Sequence, residues 1–313
     1  MSGPGSLPDP VKYFKMSNVI GIDVGGTMVK GVLIDITGNI IDQECFPTHD
    51  KSSSPEWMNT VREMHELLKE KNGCEKCLTG IAAPGIANSD HSAIAFMPGR
   101  LAGIENFLWG EFLGEEKVFV LNDAHAALMA ESSFGAGKGL KNLVLLTLGT
   151  GVGGGILVDG KLYTGLGLMA GHFGHITIDA GRDDTGITGS PGTLEQAIGN
   201  TTVSLRSSGR YNSTSELVNA YIKGDNFAKY VWLGSVRKLS LAICSISNSI
   251  SPDAVILGGG ITNAGDNLFT PLNDFIDVYE WRPGGKKTQI LKAQYSELSG
   301  AVGAAAFALN SVS

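Results

Sequence analysis

Apolar residues along this chain fall in short runs that close on glycine, and these runs alternate with longer segments of helical period. Residues 19–24, 29–34 and 40–46 predict three strands, with a turn at 35–39. The first strand ends in Asp23-Val24-Gly25-Gly26-Thr27 and passes directly into the second, so it predicts a hairpin through a glycine-rich turn. A dinucleotide-binding fingerprint needs a helix after its glycines, and a P-loop ends in Lys-Ser/Thr; this hairpin has neither. Residues 55–71 place Trp57, Val61, Met64, Leu67 and Leu68 at three- and four-residue steps, which predicts a helix capped by Ser54 with Pro55 at its first position. A strand at 77–82 ends in the turn Ala83-Pro84-Gly85-Ile86, little periodicity follows up to Leu101, and 105–113 predicts a short helix. A strand at 118–121 then delivers Asn122 and Asp123 to the start of an alanine-rich helix at 124–132.

The second half repeats the scheme. An apolar run at 143–148 meets the turn 149–155, which reads GTGVGGG, and a strand is expected at 156–158. Glycines permit a tight reversal there, and successive N–H groups can nest around anionic oxygens. A glycine-bulged hairpin would look the same in sequence. The segment GLGLMAGHFGH at 165–175 predicts a turn, 176–179 a strand, and Pro191 the opening of a helix that carries Glu195 in its first turns. Helices are expected at 215–222, 226–249, 268–278 and 300–309. A strand at 253–257 ends in Gly258-Gly259-Gly260, and 290–293 predicts an edge strand.

Composition narrows the class. The chain has 313 residues, 42% apolar and 18% charged, enough for a large core and two domains. Its net charge of −7 argues against non-specific nucleic-acid binding, which needs Lys and Arg to neutralise phosphates. An anionic small ligand stays possible, because backbone donors need no basic side chain. Cys74 and Cys77 form the one close cysteine pair; redox and metal readings are open to them, but structural thiols are expected. A cytoplasmic location is the simplest expectation: no signal peptide is visible, and no apolar run reaches the ~18 residues of a membrane span. Residues 1–15 are a Gly/Pro-containing preamble, with Met16 as an alternative start.

The candidate chemistry sits at strand ends, where ligands of α/β sheets gather. Asp23 could organise Mg²⁺ and water, while Gly25, Gly26 and Thr27 could meet phosphate oxygens; a solvent-facing turn is the plain alternative. Asn122 could bind a polyol hydroxyl and Asp123 accept its proton, or the pair could simply cap a helix. His172 and His175 could hold a metal, read sugar hydroxyls or serve packing, and Glu195 could accept a bond from a sugar hydroxyl or favour its helix start. Glycines 258–260 could let an adenosine lie against backbone.

In this order and spacing, DVGGT, APG, LND, LGTGVGGG, GLGLMAGHFGH, PGTLE and LGGG resemble the motifs of the ROK family (repressor, open reading frame, kinase) of sugar kinases, within the actin-like ATPase superfamily. The resemblance runs from about Val19 to the C-terminus. It implies an α/β fold of two RNase-H-like domains around a central cleft, as in actin and hexokinase: 18–120 completed by 298–313, and 121–297. It implies transfer of the γ-phosphoryl group of ATP, with Mg²⁺, to a sugar hydroxyl, often the 6-hydroxyl, in a homodimeric protein. Asp23, Gly25, Gly26 and Thr27 would form one phosphate turn; Gly149, Thr150 and Gly151 a second; Gly258, Gly259 and Gly260 the adenosine side. Asp123 would be the catalytic base, and Asn122, Glu195, His172, His175 and Gly85 would face the sugar. Two departures matter. His172 stands where the family has a sugar-binding glutamate. Gly186, Thr188 and Thr193 stand where its structural zinc takes three cysteines, so no such zinc is expected. A non-catalytic sugar sensor of the same fold is the alternative; DNA binding is disfavoured, since about 18 residues before the first strand are too few for a helix-turn-helix module.

Overall fold

The computed structural model describes residues 18–50, 56–186 and 189–312. Its elements run β1 (Asn18–Val24), β2 (Met28–Asp35), β3 (Ile40–Pro47), α1 (Glu56–Asn72), β4 (Thr79–Ala83), β5 (Ile86–Ala87), β6 (Ile94–Phe96), α2 (Trp109–Leu113), β7 (Val118–Asn122) and α3 (Asp123–Ser133). There follow β8 (Leu143–Leu148), β9 (Val152–Val158), β10 (Lys161–Tyr163), α4 (Leu194–Ile198), α5 (Val203–Arg206), α6 (Thr214–Ile222), α7 (Asn226–Ile250), β11 (Ala254–Gly258), α8 (Asp266–Tyr279), β12 (Gln289–Lys292) and α9 (Ser299–Ser311).

Two five-stranded sheets share one topology. The first has the order β3-β2-β1-β4-β7, antiparallel across β1–β3 and parallel across β1, β4 and β7. The second has the order β10-β9-β8-β11-β12, antiparallel and then parallel in the same way. In each sheet a meander of antiparallel strands needs only tight turns, and each later strand returns in parallel through a helical crossover.

Side-chain alternation assigns the sheet faces. In β1, Ile20, Ile22 and Val24 join Trp57, Val61, Met64 and Leu68 of α1 in one core, while Val19 meets Ala301, Val302 and Ala305 of α9 on the other face. In β8, Val144, Leu146 and Leu148 pack on α7 and α8, and Leu143 and Leu145 pack on α3. Helices α3 and α9 therefore lie between the two sheets, against each other. Both are apolar on nearly every side, as a helix covered all round must be. Their contact is very close: a methyl on Gly303 would overlap the Ala126 carbonyl oxygen, and one on Gly80 or Gly21 would overlap the carbonyl of Ala304 or Ala301. Buried Glu131 near the end of α3 accepts the N–H groups of Gln294, Tyr295 and Ala136, each at 2.8 Å, which fastens α3 to the segment leading into α9.

Several local expectations need correction. β9 begins at Val152 rather than Ile156, so Gly153, Gly154 and Gly155 are strand residues. Close approach explains their type: added methyls would press on Ala124 and Thr147, on Gly171 and Phe173, and on Leu128 and His125. Residues 176–179 form no strand, only a bridge from Thr177 to Thr193. The helix expected at 105–113 is confined to α2, and the helix near Pro191 starts at Leu194 with Thr193 as its cap. β5, β6 and β10 were not anticipated. Cys74 and Cys77, expected as thiols, are joined in a disulfide. Ser54, Pro55 and Thr188 lie outside the described residues. Among the described residues no helix is long and apolar enough to cross a membrane.

Two glycines test the packing. Gly303→Ala forces a methyl against the Ala126 backbone and should cost about 2–4 kcal/mol. Gly234→Ala, at an open position inside α7, should stabilise by about 0.5–1 kcal/mol. Urea midpoints at constant slope check both; equal shifts of one sign would contradict the assignment of the α3–α9 contact.

Candidate active site

Three adjacent parallel strands bring the first group of side chains together. Asp23 pairs across β1–β4 with Ala82, and Ala83 pairs across β4–β7 with Asn122. Asp23, the Ala83–Gly85 turn and the Asn122-Asp123 pair therefore stand at one edge of the sheet. Gly85 has φ of 105°, a conformation glycine adopts without strain. The Asn122 amide donates to the Gly85 carbonyl (2.9 Å), and its oxygen accepts from Ala124 N (2.9 Å) and His125 N (3.2 Å), capping α3. That leaves one amide N–H of Asn122 for a ligand. Asp123 accepts from Ala124 N at 2.8 Å and is otherwise exposed.

The two hairpin turns spend their carbonyls on protein. In the first, Gly25 O accepts from the Thr48 hydroxyl (2.6 Å) and Thr27 O from Thr48 N (2.9 Å). In the second, Gly149 O accepts from Asn200 N (2.9 Å), and Thr150 O accepts from the Thr201 N–H and hydroxyl (both 3.1 Å). Among the described residues, the N–H groups of Gly26, Thr27, Thr150 and Gly151 have no protein acceptor. Each turn thus presents adjacent donors, the arrangement of an anion nest. Glu195 does not stand clear of this machinery: its carboxylate accepts Val152 N at 3.0 Å and fills the space a Gly151 side chain would need.

The start of α3 links the two sheets' contributions. Ala124, next to Asp123, sits where a Gly153 side chain would be, at the beginning of β9. Asp123 is therefore carried beside Asp23 on one side and the Gly149–Gly151 turn on the other. Of the third glycine group, Gly258 is the last residue of β11 and Gly259 turns with φ of 85° against the Leu148 backbone. Gly260 alone lines a cleft of about 650 Å³, together with Gly149, Thr150, Thr214, Asn263 and Asn267. The Thr214 hydroxyl is buried there without a partner.

His172 and His175 stack with ring centres 6.4 Å apart, and His125 stands 5.7 Å from His172. His125 Nε2 contacts the Ala170 carbonyl at 3.1 Å, whereas His172 Nε2 is buried with no partner. Burial holds His125 down to about 4, and burial followed by the neighbouring His175 lowers His172, so both rings are neutral near pH 7. Thr193, at a position where a thiolate would bind zinc, is used in the capping box of α4 with Gln196, and Gly186 offers no ligand atom in its side chain. No group of three or more His, Cys, Asp or Glu side chains suited to a metal occurs among the described residues.

Burial, and then the charge of Asp123, push the Asp23 carboxyl from 3.8 up to about 7, against the pull of Lys30. Asp123 reaches solvent, yet the protein packed around it removes enough water to raise its carboxyl as well, opposed by the Ala124 N–H and by Arg100. The Arg100 guanidinium lies flush against Gly26, so it bridges the first turn and Asp123. Arg100, His125 and the polar wall of Thr214, Asn263 and Asn267 escape sequence reasoning. Arg100 follows an aperiodic stretch and belongs to no motif; His125 lies inside an apolar helix.

The comparisons with known proteins follow this geometry. The ROK family model matches residues 19–311. A glucokinase of Halalkalibacterium halodurans is 30% identical over 290 residues, covering 83% of this chain and 85% of that protein. An N-acetylmannosamine kinase of Escherichia coli O7:K1 is 30% identical over 93% of this chain and 98% of that protein. The crystal structure of a ROK family glucokinase from Streptomyces griseus, in complex with glucose and AMPPNP, superimposes with a TM-score of 0.75 at 26% identity, over 93% of this chain and 98% of that one.

The raised Asp23 carboxyl predicts a pH-dependent stability. A carboxyl whose folded value exceeds its unfolded 3.8 binds its proton more tightly when folded, so the contribution of Asp23 to stability is lost as pH rises from 4 through 7. In metal-free buffer, Asp23→Asn should match wild type near pH 4 and exceed it at pH 8 by on the order of 2 kcal/mol. Urea unfolding across this range measures the difference; parallel wild-type and variant profiles would contradict the strained carboxylate.

Proposed function

The chain belongs to the ROK family, and from that membership and the cleft we propose that it is an ATP-dependent sugar kinase, transferring the γ-phosphoryl group to a hydroxyl of a hexose or N-acetylhexosamine, the 6-hydroxyl first. One combination supports this reading most: Asp123 is close enough to Asp23 to raise its carboxyl and leads into Ala124, which packs on Gly153 just after the Gly149–Gly151 turn, while both hairpin turns keep backbone donors without a protein acceptor. An alcohol, a base and a polyphosphate can be held in line there.

Each residue has a role that its surroundings support. Asp123 accepts the proton of the attacking hydroxyl; it is exposed and oriented by the Ala124 N–H at the start of α3. The remaining Asn122 N–H orients the sugar. The donors of Gly26, Thr27, Thr150 and Gly151 hold phosphate oxygens, and Arg100 adds charge beside the transferring group. The cleft below Gly260 takes the nucleoside, with Thr214 Oγ1 as a ready hydrogen-bonding partner. Asp23 and Asp123 suit a divalent cation held through water, since such a cation would relieve the strain on Asp23. When bound, Mg²⁺ would neutralise charge on the nucleotide phosphates. Glu195 and His172 complete the sugar side, and the buried His172 Nε2 needs a hydroxyl partner that a glutamate would not need in the same sense. A carboxylate only accepts, while a neutral imidazole donates from one nitrogen and accepts at the other.

Asp123→Asn should lower kcat by about 10²–10⁴-fold, with nucleotide affinity changed less than about threefold. Wild-type kcat/KM should fall on the acid side with an apparent pKa above 3.8, since loss of the carboxylate removes the base. A coupled ADP-release assay over a panel of hexoses and N-acetylhexosamines measures this; equal turnover in the variant would remove Asp123 from the base role. In the same panel, His172→Glu should change the kcat/KM ratio between the best two sugars by about tenfold or more. An unchanged ratio would show that this histidine does not select the sugar. Sugar binding without turnover on every substrate would instead support the non-catalytic sensor.

A further inference from the structure

Arg206, the last residue of α5, has an unusual setting. Its Nη1 donates to Gly199 O (2.8 Å), to Gln196 O (3.3 Å) and to the Thr202 hydroxyl, so the guanidinium caps the end of α4. Its Nε is buried with no partner. Among the described residues no carboxylate pairs with it, and burial, followed by the nearby charge of Arg182, pushes its pKa down to about 10. Arg206 thus keeps its charge partly out of water with no counter-ion of its own, an arrangement that costs free energy until an anion arrives.

Arg206 is not isolated. It opens on a cleft of about 490 Å³ also lined by Arg182, Arg237 and Lys238, with Asp179 the single acidic residue of the lining. Arg182 pairs with Asp184 (2.7 Å) and Lys238 with Asp179 (2.7 Å), whereas Arg237 bonds the neutral Tyr279 hydroxyl (2.7 Å). After these pairs, two positive charges remain, those of Arg206 and Arg237, in a chain whose net charge is −7. Ile178, Val231 and Leu241 give the cleft an apolar wall beside the cations. The geometry of Arg206 is set in advance by its carbonyl partners, so little side-chain freedom is lost when its last N–H finds an acceptor. The cleft is lined by other residues than those of the two hairpin turns.

From this cleft we infer that the protein has a second anion site, built for the phosphate group of a small molecule. A phosphate dianion matches the two surplus charges and supplies several acceptor oxygens to donors on α5, α7 and the loop carrying Arg182. The apolar wall suits the carbon body of a phosphate monoester. The inference does not depend on the kinase reading, and its test uses binding and not turnover.

Isothermal titration at fixed ionic strength, with inorganic phosphate and with glycerol 3-phosphate as probes, tests it on wild-type protein, Arg182→Gln and Arg206→Lys. Both probes should bind wild type, with affinity weakened by about tenfold or more in Arg182→Gln and Arg206→Lys, the effect of losing one charge-assisted bond. Arg182 lies in a loop and can be replaced without touching the cap of α4, so its variant keeps the test valid if Arg206→Lys fails to fold. Tighter binding of the ester assigns the natural ligand to esters, and equal binding assigns it to free phosphate. No binding to wild type, or binding of unchanged affinity in Arg182→Gln and in folded Arg206→Lys, overturns the site.

Discussion

The close contact between α3 and α9 is the constraint on which the rest of the molecule depends. Two helices of small residues fill the space between two sheets, and neither could be moved outward without exposing an apolar surface on every side. Both begin at the same edge. Asp123 is the first residue of α3, and Gly300 near the start of α9 packs directly against the Asp23 carboxylate. Helix starts carry partial positive charge and free N–H groups, so they suit the carboxylates placed beside them. The packing that joins the two sheets therefore also sets the separation and surroundings of the two acids. A shift at Gly303, which packs on Ala126, would be felt at Asp123, about one helical turn away, through rigid backbone rather than through any chain of polar contacts.

The turns show a second economy of design. A hairpin turn usually satisfies its groups with water, and donors and acceptors are then equally available. Here the carbonyls are taken by Thr48, Asn200 and Thr201, side chains and backbone from neighbouring segments. The N–H groups of Gly26, Thr27, Thr150 and Gly151 are left without a protein acceptor among the described residues. The electrostatic sign of each turn thus comes from what covers its oxygens, not from its glycines alone. An acidic chain can in this way offer a site to a polyanion without a lysine in the turn, and electrostatic repulsion from the net charge is countered locally by oriented amides and by Arg100.

Much of this was legible in the sequence because it depends on short-range rules. Alternation and helical period place β1, β2, β8, α7 and α9 close to their observed positions, and the family resemblance rests on glycines and acids at strand ends. What failed has a common cause. Gly153, Gly154 and Gly155 look like a turn by composition, but they lie in β9 because Ala124, Leu128 and Phe173 approach its backbone. That approach is a tertiary fact, absent from the local pattern. Residues 176–179 have the apolar content of a strand, yet their bonds to Gly192 and Leu194 amount only to an isolated bridge between Thr177 and Thr193. Arg100 and Thr214 acquire their positions from long-range folding and leave no periodic trace. Asn122 shows the mixed case: cap and ligand group were competing readings, and its amide has atoms for both.

The two anion-handling regions of the protein differ in physical kind, and the difference bears on how each can respond. The hairpin turns use backbone donors, which carry no net charge and cannot titrate, so their character is constant over the pH range in which the protein is folded. The cleft at Arg206 uses full charges held partly out of water, where each unpaired cation raises the energy of its neighbours. The two regions meet in one short segment: Arg206 grips the carbonyls of Gln196 and Gly199, while Asn200 and Thr201 grip those of Gly149 and Thr150. Neutralising Arg206 relieves repulsion on one side of that segment, and the segment's other side holds the oxygens whose engagement leaves the second turn's donors free. Strain released at the cleft would fall on the segment from Gln196 to Thr201, because Thr202, also bonded to Arg206, ties its far end at the start of α5.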